Sequence, residues 1–499
     1  MREHLVNLSD AESSLLPGSV YLAENIKSAD GHSEAIKEIV AFYLNQNDVD
    51  FAAQLADSIE DTYIRDRLLC DVAEKCAALD DDEYALQLAD AIEDYNYQAM
   101  AREKISAQKA AKREFEKAFE IAETLPHPSD AFAAIAINQV LSGNETSALE
   151  TISRIEFHNS KVNALQQIAA HFRSSSESEK AKDFLLKAVA EAREIEFTEE
   201  KIRALLSIAE QFIQGAQFDK AIEILADARN IAEMLESNHR DPLLTLISLD
   251  FLRAGSVDLA DRTLDLVTDK TQLASCLASF ATVFDEKGEH AEALEALEEA
   301  YAFLKSQTDR DIRDSRARFS VFSAIAVRYA LFGKPEHAVD IALENPLEEE
   351  RFSALSQIAR ICALKDNDEL AHQALNSIED DSSRMFALIA VSDAKNKAGK
   401  KEEALKYLNE AENLSDSVPQ LPSRSQAFNE LARRFFDNGE TEKTRQILTE
   451  NLRTIARILD ESHQAVALAH LSAIYERFDF QPNDEEREIL QTMVRKSDL

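Results

Sequence analysis

The sequence predicts an all-α protein, a solenoid of about 12–13 antiparallel helix pairs. Three observations carry that prediction. A small or turn-forming residue, followed five positions later by Ala, recurs along the chain at a near-constant spacing. Apolar residues on both sides of each such pair fall at helical intervals. The 499-residue chain holds only nine Gly and nine Pro, too few punctuators for a β-rich or loop-rich fold. Strong helix formers, Ala, Leu, Glu and Lys among them, abound instead.

The units follow in order. The leading pairs are Asn47/Ala52, Asp80/Ala85 and Arg113/Ala118, then Gly143/Ala148, Ser176/Ala181 and Ala216/Ala221. Gly255/Ala260, Gly288/Ala293, Gly333/Ala338, Asp366/Ala371 and Gly399/Ala404 continue the series, and Gly439/Thr444 is a weaker member. Successive starts differ by 33 residues six times, as from 47 to 80 and from 366 to 399; the rest differ by 30, 39, 40 or 45. A fixed period of this size marks stacked supersecondary units. An insertion near FLKSQTDRDIRDSRAR, before Phe319, lengthens one unit. Leu468, Leu471, Ser472 and Tyr475 open a thirteenth.

Within a unit, Leu205, Ile208, Ala209 and Phe212 share one helix face, and Ala221, Leu225 and Ala228 share another. Leu165, Ile168, Ala169 and Phe172, then Ala181, Leu185 and Ala188, repeat the layout. Two antiparallel helices joined by a short turn approach closely only where side chains are small, which gives the alanines their reason.

In order and spacing these residues resemble the tetratricopeptide repeat (TPR), over about residues 32–479. The family's Trp is absent and its closing Pro is nearly so, so the repeats are degenerate. The resemblance implies a TPR-like right-handed superhelix whose first helices line a concave groove. Residues 1–31 are expected to form an arm or partial helix, and 480–499 a capping helix and tail with a solvated face.

A formal net charge of −38 argues against nucleic-acid backbones and anionic membranes as partners. Cys70, Cys76, Cys276 and Cys362 lie in apolar helical patterns without a CxxC pair and are expected to be reduced core thiols. The N-terminus shows no secretory pattern, and no stretch is apolar enough to span a membrane, so a cytoplasmic protein is expected.

Two candidate surfaces emerge. The resemblance places groove positions between the packing residues. They are nearly uncharged in the middle of the chain, and Leu206, Thr245, Leu249, Thr282, Ser323 and Val327 are the candidate contacts. A Lys or Arg also stands four residues before the leading apolar residue of many first helices. Arg65, Arg240, Arg318, Arg351, Arg384 and Arg424 would form a basic edge gripping a partner, or would pair within the chain to tie each inter-repeat turn to the next helix.

Chemistry-bearing motifs are sparse. The acid runs at 80–83, 366–368 and 379–381 read as solvated turns, and His463 and His470 are about two helical turns apart, too far to chelate one ion. The Lys/Asn set with which family members hold a terminal carboxylate is not found. The sequence therefore points to a non-catalytic scaffold without cofactor or metal, binding a protein or peptide with a basic or apolar segment. A peptide- or effector-responsive sensory regulator is the alternative. A closed α/α-toroid enzyme, which would bring the first and last repeats together, is disfavoured by the lack of Trp and of a carboxylate pair.

Overall fold

A computed structural model describes residues 4–307, 312 and 314–497; part of the insertion before Phe319 lies outside them. Among the described residues there are 28 α-helices, one 3₁₀ turn (Ser415–Ser417) and no strand. Two helices open the chain, α1 (Leu8–Ala11) and α2 (Leu15–Glu24). The first pairs are α3 (Ala29–Asn45) with α4 (Val49–Asp57), α5 (Thr62–Ala78) with α6 (Asp82–Ala91), and α7 (Tyr95–Ala111) with α8 (Phe115–Ala122). Next come α9 (Ser129–Leu141) and α10 (Glu145–Ser153), α11 (His158–Ser174) and α12 (Ser178–Glu194), and α13 (Thr198–Gln214) and α14 (Phe218–Glu233). Then follow α15 (Arg240–Arg253) and α16 (Val257–Leu264), α17 (Lys270–Glu286) and α18 (His290–Ser306), and α19 (Ser315–Leu331) and α20 (Pro335–Leu343). The last are α21 (Glu348–Leu364) and α22 (Asp368–Asn376), α23 (Asp381–Lys397) and α24 (Lys401–Asn413), α25 (Leu421–Asp437) and α26 (Thr441–Ile455), and α27 (Glu461–Arg477) and α28 (Asp484–Ser497). The fold is a TPR-like stack of helix pairs. It divides into two compact units, Met1–Gln108 with Leu375–Leu499, and Lys109–Ala374.

The turn inside each pair is chemically uniform. All twelve small or turn-forming residues have positive φ, from 54° at Ala216 to 86° at Gly439, and Asp479, with φ 52°, supplies the thirteenth. The following N–H donates to the carbonyl five residues back: Asp48 N to Tyr43 O at 2.9 Å, Gln217 N to Phe212 O at 2.9 Å, Phe480 N to Tyr475 O at 2.8 Å. This Schellman closure satisfies carbonyls that the first helix would leave open. The same residue then starts the second helix, and where it is Asp48, Asp81 or Asn144 its side chain accepts an N–H of the next turn. The acid runs at 80–83 and 366–368 are these turns, with Asp80 and Asp366 in the left-handed position.

Five residues on, the alanines face their partner helix: Ala52, Ala148, Ala221, Ala293 and Ala404 have no exposed surface, nor does Thr444. The first helices meet them with a buried face such as Leu165, Ile168, Ala169 and Phe172. At the Phe172 position two repeats carry a buried Lys instead. Lys395 reaches Glu403 at 2.9 Å and Lys109 lies 3.6 Å from Glu114. The apolar stems fill the space of a ring while the ammonium groups meet acids at the start of the second helix.

Neighbouring repeats are joined by polar staples. Asp66 Oδ2 accepts Glu93 N at 3.0 Å and Asp94 N at 2.7 Å. Asp241 Oδ2 accepts Thr268 N at 2.8 Å and Asp269 N at 2.7 Å. Ser129 Oγ faces Glu156 N and Phe157 N in the same way. Each staple caps the turn that enters the next first helix.

Residues 1–31, expected as an arm or partial helix, and 480–499, expected as a capping helix and tail with a solvated face, both carry helices that pack into the array. In the unit that contains both termini, α2 lies along α27 as second helices lie along their first helices elsewhere, and α3 packs beside α27. Val20 and Ala23 are fully buried there. A Cβ on Gly18 would meet Ala11 O at 2.9 Å and Leu490 Cδ1 at 3.0 Å. The expected cap, α28, buries Leu490, Met493 and Val494 and is tied back by Arg495 to Glu12 at 2.6 Å. One repeat is thus assembled from the two ends of the chain.

The left-handed turn makes a matched pair of substitutions informative. A Cβ at Gly255 would meet no atom within 4 Å, so Gly255→Ala is charged only with the left-handed backbone, about 1 kcal/mol. Ala216→Gly relieves that strain at φ 54° and should stabilise by a similar amount. Urea unfolding midpoints should move in opposite directions; equal shifts would contradict the turn assignment.

Candidate functional site

Counted back from each left-handed residue, the first helices expose the positions six, nine and thirteen before it. In the unit Lys109–Ala374 these positions lie on α9, α11, α13, α15, α17, α19 and α21, and none is buried. Of the 21 residues only Asp130, Arg203, Glu210 and Arg360 are charged. The remainder include Asn163, Gln167, Ser207, Ser275 and Gln357, with apolar Ile137, Leu246, Leu249 and Val327. Leu246 is 46% exposed.

Three of the six sequence candidates require correction. Leu206, Thr245 and Ser323, each ten before its turn residue, are buried. At 100° per residue that position stands about 110° from the centre of the buried face, on the flank that meets the neighbouring repeat. Ser323 Oγ donates to Glu350 O at 3.0 Å and accepts from Asn345 Nδ2 at 3.0 Å, and Thr245 Oγ1 donates to Pro242 O at 2.8 Å. Leu249, Thr282 and Val327, six before, are on the surface stripe. Leu246, one residue past Thr245, was missed. The regular burial of Leu165, Ile168, Ala169 and Phe172, drawn on a helical wheel, points directly away from the thirteen-and-nine line and would have located it.

Arg328 was missed as well. It lies beside Val327 on α19, with Nε donating to Thr282 Oγ1 at 3.1 Å and an η nitrogen to Ala324 O at 3.2 Å. Among the described residues no carboxylate lies within ion-pair distance of it, and burial pulls its pKa below the usual guanidinium value.

The equivalent stripe of the other unit is different. On α3, α5, α7, α23, α25 and α27, 9 of 18 residues are charged: Glu34, Glu38, Arg67, Asp71, Glu74, Lys104, Asp393, Glu430 and Arg433. Many of these charges bind one another across or along helices. Lys104 reaches Asp71 and Glu74, each at 2.8 Å, and Arg433 reaches Glu430 at 3.1 Å. Burial works against the Lys104 charge, but the two carboxylates overcome it and hold the ammonium pKa above its usual value.

The six arginines of the basic edge point into the chain. Arg240 donates to Leu266 O at 3.0 Å, Arg318 to Gln307 O at 2.8 Å, Arg351 to Asn345 O at 3.0 Å, and Arg424 to Val418 O at 2.7 Å. Arg65 pairs with Asp66 at 3.0 Å and Glu93 at 2.9 Å, and Arg384 with Asp381 at 2.8 Å. This is the geometry of the turn-tying alternative: cations near a helix start are offset by the carbonyls and carboxylates of adjoining turns.

Other groups complete the picture. The four cysteines are buried and unpaired; burial pushes Cys70 and Cys362 up to about 11 and Cys76 and Cys276 up to about 12. His463 bonds Asp460 at 2.8 Å, while the His470 ring packs edge-on to Phe42. Among the described residues no helix is long and apolar enough to cross a membrane. Nor do three or more His, Cys, Asp or Glu side chains gather as metal ligands there.

No family model and no curated protein matches the chain. Solved structures share its helical repeats. Ton1535 from Thermococcus onnurineus NA1 is 18% identical, with 81% of this chain and 98% of that one covered and a TM-score of 0.24. A putative kinesin light chain with TPR-like repeats from Podosopora anserina is 18% identical, covering 45% and 99%, TM-score 0.24. The apo form of the quorum sensor NprR from B. thuringiensis is 12% identical, covering 72% and 100%, TM-score 0.26. Likeness at this level concerns helix pairs alone, and function rests on the chain's own residues.

Beneath the uncharged stripe, buried Asp250 gives a pH test. Burial is the main cause that lifts its pKa to about 6, with neighbouring Glu210 adding and Arg253, at 2.9 Å, opposing. The folded state therefore holds this proton more tightly than the unfolded chain, whose Asp titrates near 3.9. The stabilisation is full below the unfolded value and is lost as pH rises through about 6. Asp250→Asn should raise unfolding free energy by about 1–2 kcal/mol at pH 7 and by nothing near pH 4. Denaturant titrations at the two pH values check it, and a gain of the same size at both would contradict it.

Proposed function

We propose that the chain is a non-catalytic binding scaffold that takes an extended, largely uncharged segment of another protein along the stripe from α9 to α21. The observation that supports this most is the contrast in charge. The chain carries 93 acidic and 55 basic residues, and the matching stripe of the other unit is half charged, yet this surface keeps four charges in 21 positions. Solubility alone would favour the opposite distribution. Apolar side chains set among amides and hydroxyls suit contact with a peptide: exposed Leu246 and half-buried Leu249 and Val327 would bury against its side chains. Asn163, Gln167 and Gln357 would meet its backbone groups. Arg328 would supply a charge-assisted bond to a carbonyl or carboxylate. Because the helices are already packed, the scaffold would lose little conformational entropy on binding.

The test compares the whole chain with Leu246→Glu/Leu249→Glu and with Arg328→Ala. Partners are recovered by affinity purification from native lysate and counted by mass spectrometry. Each variant should keep its helical circular dichroism and lose specific partners by at least about tenfold, or about 1.4 kcal/mol. Recovery equal to the parent chain from both folded variants would rule out this stripe.

A further inference from the structure

A second surface lies on the edge where first helices begin, where some helices carry a side-chain cap and others, such as those after Leu347 and Gln420, do not. The residue 19 before the left-handed turn caps its first helix through its side chain at Ser28, Asp61, Asp269, Asp314, Asp380 and Asp460. In two consecutive repeats that residue is a phenylalanine. Phe157 and Phe197, each in an Ile-Glu-Phe tripeptide, precede α11 and α13 and give no side-chain cap. Both rings stand in solvent, 49% and 70% exposed. Each of these repeats forgoes a side-chain cap and also leaves a large aromatic ring largely in solvent, two local costs.

Contacts between successive turns link the segments that carry these rings. The His127 ring lies 5.7 Å from that of Phe157. Asn159, two residues past Phe157, bonds Glu200, three past Phe197, at 2.5 Å. Glu199 accepts from Ser237 Oγ at 2.9 Å, joining this turn to the next one, where Met234 is 85% exposed. Acidic side chains border these segments: Glu156, Glu194, Glu196, Glu200, Glu233 and Glu236 are exposed.

We infer that this edge, from His127 to Met234, docks a basic amphipathic helix of another protein. The exposed apolar side chains would cover the partner's apolar face, and the acidic border would meet its lysines or arginines. Successive first helices stand about 10 Å apart, close to two turns of an α-helix, so apolar residues seven apart on the partner would reach Phe157, Phe197 and Met234 in turn. A second copy of this chain would bring acidic border against acidic border, and an anionic membrane would be repelled in the same way. The edge is separate from the α9–α21 stripe and shares no residue with it. Failure here leaves that reading standing, and the reverse also holds.

The test uses the full chain and a fluorescent peptide of about 18 residues, Leu and Lys arranged so that leucines form one helical face. A scrambled peptide of the same composition is the comparison, and binding is read by fluorescence anisotropy. The ordered peptide should bind at least about tenfold more tightly than the scrambled one. Phe157→Asp/Phe197→Asp should weaken it by at least about tenfold, although it adds two negative charges. The same variant should melt no lower than the parent chain, because Asp restores the missing caps; Phe157→Ala/Phe197→Ala should show the same loss of binding. Equal binding of ordered and scrambled peptides would reduce the effect to bulk charge and overturn the inference. So would undiminished binding by both phenylalanine variants, loss of binding only on Leu246→Glu, or sedimentation showing a dimer that either pair of substitutions dissociates.

Discussion

A left-handed residue at the end of each first helix, with a methyl-sized residue five positions later, is the constraint from which the rest of the structure follows. The left-handed residue turns the chain within two residues, so the second helix must start against the first. The alanine then lets the axes come close. Remove either and the other loses its purpose: an alanine without the turn meets no partner, and the turn without the alanine forces bulky side chains together. That mutual dependence explains why Asn, Asp, Arg, Ser, Ala and Gly all serve in the first place while the second place is nearly invariant. A non-glycine residue tolerates positive φ at a cost of about 1–2 kcal/mol, whereas a larger side chain at Ala221 or Ala293 would have nowhere to go.

With the intra-repeat geometry set, two degrees of freedom remain: how one repeat is fastened to the next, and what the outer faces carry. Fastening falls to a few polar groups near helix starts. Asp66 and Asp241 cap the entering turns of the next repeat, and arginines such as Arg240 and Arg424 hold carbonyls of the adjoining turns. These contacts consume the charges that looked available to a partner. The outer faces are then free to differ, and they do. One unit fills its helix-face stripe with charges, several of which hold one another, while the other keeps its stripe nearly bare of charge. Stacking alone demands neither arrangement, so the difference carries information about what each face meets.

The parts of this arrangement that depend on residues within about forty positions of one another were legible in the sequence. Every turn residue from Asn47 to Gly439 could be picked out, because the turn and its alanine are local and recur in phase. The candidate surface was legible only to within one helical position. Leu206 and Leu246 are both apolar residues near the middle of first helices; what separates them is a flank packed by the neighbouring repeat, and pair spacing does not display which flank that is. The partners of Arg318 and Arg351 were hidden for a related reason. Backbone carbonyls carry no sequence signature, so a cation that binds one looks unpaired.

The pairing of α2 with α27 was the least legible feature, and its cause is general. Each second helix is recognisable because its first helix precedes it by a short turn. For α27 the helix that fills this place comes from the other end of the chain, so no local pattern links Val20 and Ala23 to Leu468 and Leu471. What the sequence does contain is a surplus: an apolar stretch at Leu15–Ala23 with no turn-and-alanine pair of its own. A stacked array leaves an apolar face at its last repeat, and that face must be covered by a polar cap or by another helix. The C-terminal segment, although charged, buries Leu490, Met493 and Val494 and so is itself a packing helix. Unmatched apolar residues at both ends of a repeat chain are therefore a physical reason to expect the ends to cover each other, and here they do.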